Sequence, residues 1–344
     1  MKLFFSISFF CVSILLFSQN KIQGKVVDEN NNPMVGVSLF LDGTTIGFLT
    51  DETGNFYFEK SVLPQSVLVV GYLGYETQRI QNYSSSFLSI KLSPSITQLR
   101  EVIVSKPYFT RKQMMSAFKD HFLGKTKAGR SCFIENESAI QLDYDGSKNQ
   151  LNAHSDSKLV IINKHLGYKL VFELQDFNLK FSKKSISNQY VKSSFFAGTS
   201  FFTDLTNNKA EITNKNRIKS YLGSYNHLFK NLVEKKWDKK SFLLFEGSFV
   251  TDPNLQFKVD KIANLYTITV LNNKLKAIQN SKIGFFNSFN ILYNNREQSK
   301  INFKINEFQV DEFGNFFPVD KIEFSGDISE KRVGDMLPID YIPY

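Results

Sequence analysis

The sequence predicts a β-rich protein of two domains, with a β-sandwich at the N-terminus and an α+β domain after it. Short apolar segments with an alternating pattern recur along most of the chain, and turn-forming residues separate them. Two segments repeat apolar residues with the period of a helix, and both lie beyond residue 110. The length of 344 residues and the hydrophobic fraction of 42% allow two cores and exclude a wholly disordered chain.

The N-terminus has the composition of a secretory signal peptide. Lys2 precedes an apolar run over residues 3–17, and Ser18 and Gln19 follow it. The run is shorter than the roughly 20 residues that a membrane span needs. We therefore predict a signal peptide over residues 1–18, cleavage between Ser18 and Gln19, and export to the periplasm, the outer membrane or the medium. An uncleaved N-terminal anchor is the alternative.

Removal of the signal peptide leaves Cys132 as the only cysteine and lowers the formal net charge from +9 to +8. A single cysteine cannot form an internal disulfide, so core packing must stabilise the exported protein. Phe133 and Ile134 follow Cys132, which favours a buried position over a nucleophilic role. Export, the small number of arginines and the lack of a nucleic-acid-binding motif argue against a nucleic-acid partner. No later segment is apolar and long enough to be a transmembrane helix.

The segment over residues 21–93 is a series of short strands separated by turn residues, with no convincing helix. Asp42-Gly43 and residues 50–55 are typical of hairpins. Strands are predicted around residues 22–26, 35–41, 56–58, 67–70 and 88–92. Strands at this spacing indicate a sandwich of two sheets.

Four motifs of this segment resemble the carboxypeptidase-regulatory-like domain. They are Ile22-Gln23-Gly24-Lys25-Val26-Val27-Asp28, Pro33-Met34-Val35-Gly36-Val37, Thr50-Asp51-Glu52-Thr53-Gly54-Asn55-Phe56 and Gly71-Tyr72-Leu73-Gly74-Tyr75-Glu76. The resemblance implies a transthyretin-like, Ig-like β-sandwich. It also implies an accessory domain, of the kind often found at the front of secreted and outer-membrane proteins of Bacteroidetes-type bacteria.

The resemblance does not imply peptidase activity. A zinc carboxypeptidase needs closely spaced His and Glu ligands, a second His and an acid that activates water. The chain has four histidines, and none has a Glu at metal-ligand spacing: His121, His154, His165 and His227.

Residues 94–110 are predicted to be a linker, and residues 111–344 an α+β domain with an antiparallel sheet. Within the linker, Gln98-Leu99-Arg100-Glu101-Val102-Ile103-Val104 resembles the segment that follows such domains in TonB-dependent outer-membrane receptors. Apolar spacing predicts a short helix over residues 111–123 and one long helix over about 20 residues, from Ile218 to Leu232 and beyond. Strands are predicted around residues 159–162, 168–174, 266–270 and 301–305.

The C-terminal region also resembles a family, namely the uncharacterised tail of regulatory-domain-containing proteins in flavobacteria. The motifs that carry the resemblance are residues 132–136, 142–145, 163–168, 217–223 with 227–229, and 332–341. That family has no assigned reaction, so the resemblance implies a compartment and no mechanism.

Several residue patterns in this region are candidates for a site. Asp143 and Asp145, with Asn149, resemble the start of a calcium loop, but its distal Glu is missing and a hairpin turn is favoured. His165 and His227 are candidate bases without a nucleophile at motif spacing. Ser220-Tyr221-Leu222-Gly223-Ser224 lacks the pattern of a nucleophile elbow.

Two further patterns leave alternatives open. The lysines at the end of the long predicted helix either complement the helix dipole or dock on an anionic lipid or polysaccharide: Lys235, Lys236, Lys239 and Lys240. Four phenylalanines are expected beneath the sheet, and an exposed aromatic loop that binds glycans or lipids is the alternative: Phe195, Phe196, Phe201 and Phe202.

These observations predict an exported, non-catalytic binding or structural protein of the cell envelope. We predict no enzyme activity, no catalytic or cofactor-binding residues, no cofactor and no metal. The predicted partner is an unknown envelope protein or an anionic glycan or lipid surface. The alternatives are a receptor-like outer-membrane component related to TonB-dependent systems, and a hydrolase of glycans or peptides whose acids cannot be paired from the sequence.

Overall fold

The computed structural model describes residues 21–59, 66–81, 83, 87–95, 107–206, 210–271 and 284–343. The predicted signal peptide with its cleavage position at Ser18 and Gln19, and most of the predicted linker, lie outside the described residues. The described residues form two compact units. The first lies within residues 1–42 and 46–101, and the second lies within residues 43–45 and 102–344.

The first unit contains seven strands among its described residues. They are β1 (Lys21–Val27), β2 (Ser38–Leu41), β3 (Gly47–Leu49), β4 (Asn55–Glu59), β5 (Leu68–Gly71), β6 (Gln78–Ile80) and β7 (Leu88–Lys91). One sheet has the order β4-β1-β7, in which β1 pairs antiparallel with β4 and parallel with β7. The other sheet is antiparallel, with the order β3-β2-β5-β6. The predicted N-terminal β-sandwich is confirmed.

The core of the first unit holds apolar side chains from strands of both sheets, among them Val26, Leu39, Phe56, Leu68 and Ile90. Gly24 on β1 is one of the residues on which this packing depends. A Cβ at this position would lie 2.1 Å from the carbonyl oxygen of Leu88, so only glycine allows β7 to approach β1 this closely.

The second unit is β-rich, and its described residues form three sheets. Its strands are β8 (Cys132–Ile134), β9 (Ile140–Asp145), β10 (Gln150–Ser155), β11 (Leu159–Asn163), β12 (Tyr168–Phe181), β13 (Val191–Asp204), β14 (Phe242–Glu246), β15 (Phe249–Thr251), β16 (Phe257–Ile262), β17 (Leu265–Val270), β18 (Asn287–Tyr293), β19 (Glu297–Phe303), β20 (Glu307–Asp311), β21 (Phe316–Phe317) and β22 (Ile322–Gly326). The six-stranded sheet has the order β8-β11-β12-β10-β9, and β13 pairs with β12. The other two sheets have the orders β15-β14-β18-β19-β22 and β16-β17-β20-β21.

The second unit has five helices among its described residues. They are α1 (Arg111–Phe122), α2 (Lys127–Arg130), α3 (Ala210–Tyr221), α4 (Tyr225–Glu234) and α5 (Pro253–Gln256). The helix predicted over residues 111–123 is confirmed as α1, which begins with a capping box formed by Thr110 and Gln113. None of the helices in the described part of the chain is long and apolar enough to cross a membrane.

The one long helix predicted from Ile218 onward is divided into two helices, α3 and α4. Gly223 lies between them with a φ of +74°, a conformation that glycine adopts without steric cost. Ser224 then caps α4, since its hydroxyl accepts a hydrogen bond from the backbone N–H of His227. The apolar spacing continues across this break, and the pattern therefore does not show it.

Two separate cores stabilise the second unit. The first core packs α1 against one face of the six-stranded sheet and includes Phe118, Phe122, Phe172 and Phe177. The second core packs α4 against the other two sheets and includes Phe229, Phe289 and Phe303. Aromatic ring pairs occur in both cores, and this accounts for much of the high Phe content.

Candidate functional site

A pocket in the second unit is the strongest candidate for a ligand site among the described residues. Its volume is about 420 Å³, within the range of small-molecule sites. Its lining includes Tyr168 at the start of β12, Asp204 at the end of β13, and Asn214, Arg217 and Ile218 on α3. Residues near the C-terminus of the chain close another side: Pro338, Asp340, Tyr341 and Ile342. We call it the Arg217 pocket.

Arg217 is buried and almost fully hydrogen-bonded. Its Nη1 and Nη2 donate to the two carboxylate oxygens of Asp204 at 2.9 Å and 3.0 Å. Its Nε donates to the carbonyl oxygen of Leu166 at 2.8 Å, and Nη2 also donates to that of Gly167 at 3.3 Å. Four of the five guanidinium N–H groups are thus occupied. The arginine therefore lacks the two free parallel donors that would bind an anionic ligand.

The electrostatics of the pocket favour a neutral or cationic ligand. Arg217 balances Asp204, and Asp340 adds a further carboxylate to the lining. Although burial opposes ionisation of Asp204, hydrogen bonds from Arg217 and Thr206 hold the pKa of its carboxyl below its usual value. Burial raises the pKa of Tyr168 and of Tyr341, so both phenols stay protonated at neutral pH and can donate hydrogen bonds.

The aromatic ring of Tyr168 packs against the guanidinium group of Arg217. The guanidinium carbon lies 3.8 Å from the centre of the Tyr168 ring, a distance typical of a cation–π contact. Since Tyr168 begins β12 and Asp204 ends its partner β13, pairing of the two strands places both residues beside α3. The antiparallel hairpin therefore builds this side of the pocket.

Hydrogen bonds from residues 331–335 hold the pocket wall near the C-terminus in place. We call residues 331–343 the C-terminal segment. The Nζ of Lys331 donates to the carbonyl oxygens of Ser220 and Leu222 at 2.6 Å each. Asp335 accepts hydrogen bonds from Thr126 Oγ1 at 2.6 Å and from Ser220 Oγ at 3.2 Å. These bonds anchor the segment to the C-terminal end of α3.

Gly334 brings the C-terminal segment into direct backbone contact with α2. Its N–H donates to the carbonyl oxygen of Leu123 at 2.9 Å, and its own carbonyl accepts from Asn163 Nδ2 at 2.7 Å. A Cβ at Gly334 would lie 2.3 Å from the Cα of Gly129. Two glycines therefore face each other where two backbones meet, and the pocket wall depends on this close approach.

The two candidate bases lie outside the pocket lining and have structural contacts. His227 Nδ1 accepts a hydrogen bond from the backbone N–H of Gly223 at 3.1 Å, and the rings of Tyr221, Phe242 and Tyr293 surround the imidazole. Burial, followed by the charge of Lys331, lowers the pKa of His227 to about 4. His165 is half-buried, and burial also lowers its pKa. Among the described residues, the structure does not bring the two histidines together with a nucleophile.

The candidate calcium loop at Asp143 and Asp145 forms a hairpin turn, as the sequence predicts. Asp145 accepts hydrogen bonds from the backbone N–H groups of Ser147 and Lys148, and from the Ser147 hydroxyl. These bonds, that of the Ser147 hydroxyl foremost, lower the pKa of Asp145 to about 2. Within the described parts of the chain, no three His, Cys, Asp or Glu side chains are grouped as metal ligands.

Two other candidates also have structural roles. Cys132 is half-buried, and burial raises the pKa of its thiol to about 12, so the thiolate that a nucleophile requires is disfavoured. Within Ser220–Ser224, Ser220 binds Asp335 and Ser224 caps α4. The segment therefore joins two helices and does not form a nucleophile elbow.

The lysine cluster lies at and beyond the end of α4. Lys235 adopts a left-handed conformation and ends the helix, and Lys236 forms an ion pair with Glu234 at 2.7 Å. Lys239 and Lys240 are exposed. This arrangement is typical of a solvated helix end, and an anionic partner for the cluster stays a prediction.

The four phenylalanines divide between the two sides of the six-stranded sheet. Phe196 and Phe202 face the core, as predicted. Phe195 is 46% exposed and lies on the opposite side, and the half-buried Phe201 alternates to that side as well. The interpretation that all four lie beneath the sheet is therefore wrong for Phe195 and Phe201, because successive residues of a strand point to opposite faces.

Sequence reasoning identified Arg217 only as part of a motif and did not pair it with Asp204. The pair joins the end of a long hairpin to a helix, and no fixed spacing in the sequence indicates such a contact. The signal that was present is the run from Arg217 to Gly223, one of the motifs of the uncharacterised tail.

Comparison with known proteins identifies a family for the N-terminal region. Residues 22–104 match the model of the CarboxypepD_reg-like domain. The resemblance inferred from the sequence motifs is confirmed for this region. The chain is also 35% identical over 89 residues to the TonB-dependent receptor P39 of Formosa agariphila, and 31% identical over 94 residues to the TonB-dependent receptor SusC of Bacteroides thetaiotaomicron. These matches cover 26% and 27% of this chain but only 8% and 9% of the two receptors.

Solved structures show weaker likenesses. A cohesin–X-dockerin complex from Acetivibrio cellulolyticus is 16% identical, with a TM-score of 0.20, and the match covers 32% of this chain and 81% of that chain. A putative carbohydrate binding protein from Bacteroides uniformis is 12% identical, with a TM-score of 0.18, and the match covers 56% and 82% of the two chains. Scores this low imply no common function.

Proposed function

We propose that the protein is a non-catalytic binding protein of the cell envelope. In this proposal the CarboxypepD_reg-like domain is an accessory module, and the Arg217 pocket takes a small neutral or cationic ligand. The observation that carries the proposal is the closed Arg217–Asp204 pair, which gives the pocket a fixed polar wall. The receptors that resemble the first unit support an envelope location.

The chemistry of the lining supports binding rather than catalysis. Tyr168, Tyr341 and Asn214 offer hydrogen bonds, and Ile218 and Pro338 offer apolar surface. General acid–base catalysis needs a group that exchanges a proton near neutral pH. The pKa directions of Asp204 and Tyr168 move both groups away from that range.

The proposal is tested by whether the protein retains a compound from the cell envelope and leaves the mass of that compound unchanged. The protein lacking residues 1–18 is dialysed against a small-molecule extract of the cell envelope, and the retained compounds are measured by mass spectrometry. We expect a compound that wild type retains and that the variant Ile218→Trp loses, because the indole fills the pocket. Ile212→Trp is the matched control, since Ile212 is also on α3 but is 63% exposed and outside the lining.

Two results would contradict the proposal. Conversion of the retained compound to one of another mass would show catalysis, and equal retention by Ile218→Trp would show that the pocket is not the site. Fractionation of cells tests the envelope location separately, and recovery of the protein in the cytoplasmic fraction would contradict it.

Similarity to TonB-dependent receptors favours a second candidate function, a receptor-like outer-membrane component. In this case the protein stays with washed envelopes until detergent is added. Release by buffer alone would argue against this candidate and leave the binding function in place.

A further inference from the structure

The outer side of the six-stranded sheet is a polar surface that the Arg217 pocket does not use. Strand pairing places Asp143, Asn152, Asn178 and Phe195 in one row, because Asn152 pairs with Asp143 and with Asn178, and Asn178 pairs with Phe195. The row crosses β9, β10, β12 and β13 on the side opposite the core. We call this row, together with Gln141 and His154 beside it, the outer polar face.

The side chains of the outer polar face are aligned by hydrogen bonds to one another. Asn152 Nδ2 donates to Asp143 Oδ2 at 2.9 Å, and His154 Nε2 lies 2.9 Å from Gln141 Oε1. Their planar amide, carboxylate and imidazole groups are fixed at the strand spacing of about 4.8 Å. All of them are exposed or half-buried, so they can also contact a ligand in solvent.

Phe195 adds an apolar platform to this polar row. Its phenyl ring is 46% exposed, while its neighbour Phe196 packs into the core. An exposed phenyl ring beside amides and carboxylates fits the chemistry of a pyranose. The phenyl ring would stack on the C–H face of the sugar, and the polar side chains would bind its hydroxyl groups.

The charge of this side of the sheet does not favour anions. Its charged side chains include four acids and three lysines, and Lys148 forms an ion pair with Asp145 at 3.4 Å: Asp143, Asp145, Glu173, Asp176, Lys148, Lys169 and Lys180. This side therefore lacks the excess of positive charge that the whole chain carries, and hydroxyl groups can donate to its carboxylate and amide oxygens.

We propose that the outer polar face binds a neutral polysaccharide, with Phe195 as the stacking residue and Asn152 and Asn178 as hydrogen-bonding residues. This surface is distinct from the Arg217 pocket and from the lysine cluster after α4. It also differs from the anionic glycan or lipid partner that composition alone predicts.

Affinity gel electrophoresis of the full chain without residues 1–18 tests the proposal. The gels contain galactomannan, xyloglucan or amylopectin as neutral probes, and polygalacturonate as the anionic probe. We expect at least one neutral probe to retard the protein. Phe195→Ala should weaken this binding about tenfold, because burial of one phenyl ring contributes roughly that much. Asn152→Ala should weaken it as well.

Matched variants make the result decisive. Phe249→Ala removes an aromatic ring that is 81% exposed on another sheet, and it should leave the retardation unchanged. Ile218→Trp should also leave it unchanged, which separates this proposal from that for the pocket. An unaltered thermal midpoint of Phe195→Ala shows that the variant is folded. The proposal is wrong if no neutral probe retards the protein, if only polygalacturonate does, or if Phe195→Ala binds as wild type does.

Discussion

Two regions of the second unit use the same residue types for different ends. Around the C-terminal segment, Asp335, Asn163 and Arg217 are buried or half-buried and matched to partners from distant parts of the chain. On the outer polar face, Asp143 and Asn152 bind a neighbouring strand and stay accessible to solvent.

This difference predicts which substitutions should change the stability of the second unit and which should change only ligand binding. A buried polar group that loses its partner keeps the cost of its desolvation, whereas an exposed group is simply hydrated again. Changes around the C-terminal segment should therefore destabilise the second unit, and changes on the outer polar face should leave its stability unchanged. Trp237, the only tryptophan, packs against the second core and reports unfolding of this unit by its fluorescence.

The largest effect is expected for Gly334→Ala. The new methyl group would lie 2.3 Å from the Cα of Gly129 and 2.6 Å from the carbonyl oxygen of Leu123, and neither backbone atom can move aside cheaply. We expect a loss of about 3 kcal/mol in the free energy of unfolding, measured with urea. Gly247→Ala is the control, because nothing lies within 4 Å of its Cβ and only its positive φ costs about 1 kcal/mol. Equal losses in the two variants would contradict the close contact.

The second effect is expected for Arg217→Met, which keeps an unbranched apolar stem and removes the guanidinium donors. The carbonyl of Leu166 loses the guanidinium donor, whereas that of Gly167 keeps its bond from the backbone N–H of Leu205, and we expect a loss of about 2 kcal/mol. Asp204 contributes less, since its side chain is 44% exposed and can be hydrated. Arg217→Lys should be intermediate because lysine cannot bind the carboxylate with two parallel bonds.

The control for the Arg217 variants is a substitution of an exposed residue on the same helix, α3. Lys215→Met removes the exposed ion pair with Glu211 and should change stability by less than about 0.5 kcal/mol. A loss for Lys215→Met as large as that for Arg217→Met would show that the burial of Arg217 is not the cause.

The third effect is a pH dependence from His227. Its pKa is about 4 in the folded protein and about 6.5 in an unfolded chain, so the unfolded state binds more protons between these values. Its stabilising contribution is present above pH 6.5 and is lost as the pH falls toward 4. Between pH 7.5 and pH 5 the loss from this residue should be about 2 kcal/mol.

Comparison of variants isolates the contribution of His227 from those of the other histidines. In His227→Gln the amide oxygen can still accept a hydrogen bond from the N–H of Gly223. The difference in unfolding free energy between pH 7.5 and pH 5 should therefore be about 2 kcal/mol smaller than in wild type. Phe249→Ala, which removes an exposed ring and no titratable group, should keep the wild-type difference. A full difference in His227→Gln would refute the assignment.

Sequence patterns predicted those strands and helices that depend mainly on residues close together in the chain. Five strands of the first unit (β1, β2, β4, β5 and β7), the helix α1, the short strand β11 and the first half of β12 follow from alternation or helical spacing. The break between α3 and α4 did not, because the left-handed residue Gly223 and the cap Ser224 lie within an uninterrupted apolar pattern.

The candidate site was less predictable than the fold. Arg217 meets Asp204 across 13 residues, and Lys331 of the C-terminal segment meets Ser220 across 111 residues. Residue spacing carries no signal for such contacts. The outer polar face needs the register of four strands, which places Asp143, Asn152 and Phe195 in one row. Alternation alone assigns a side of the sheet but does not tell which residues are neighbours across strands.

The smallest effect on stability is expected for Phe195→Ala and Asn152→Ala. Both side chains lie outside the first core, so neither variant opens a cavity nor strands a buried donor. We expect each to change the free energy of unfolding by less than about 0.5 kcal/mol, measured with urea at pH 7.5. Phe196→Ala is the matched change on the opposite side of β13, where the ring packs on Phe122, and it should cost about 3 kcal/mol. If Phe195→Ala destabilised the protein as much as Phe196→Ala, the Phe195 ring would be part of the packing of the second unit. The outer polar face would then contribute to stability and would not be a surface available to a ligand.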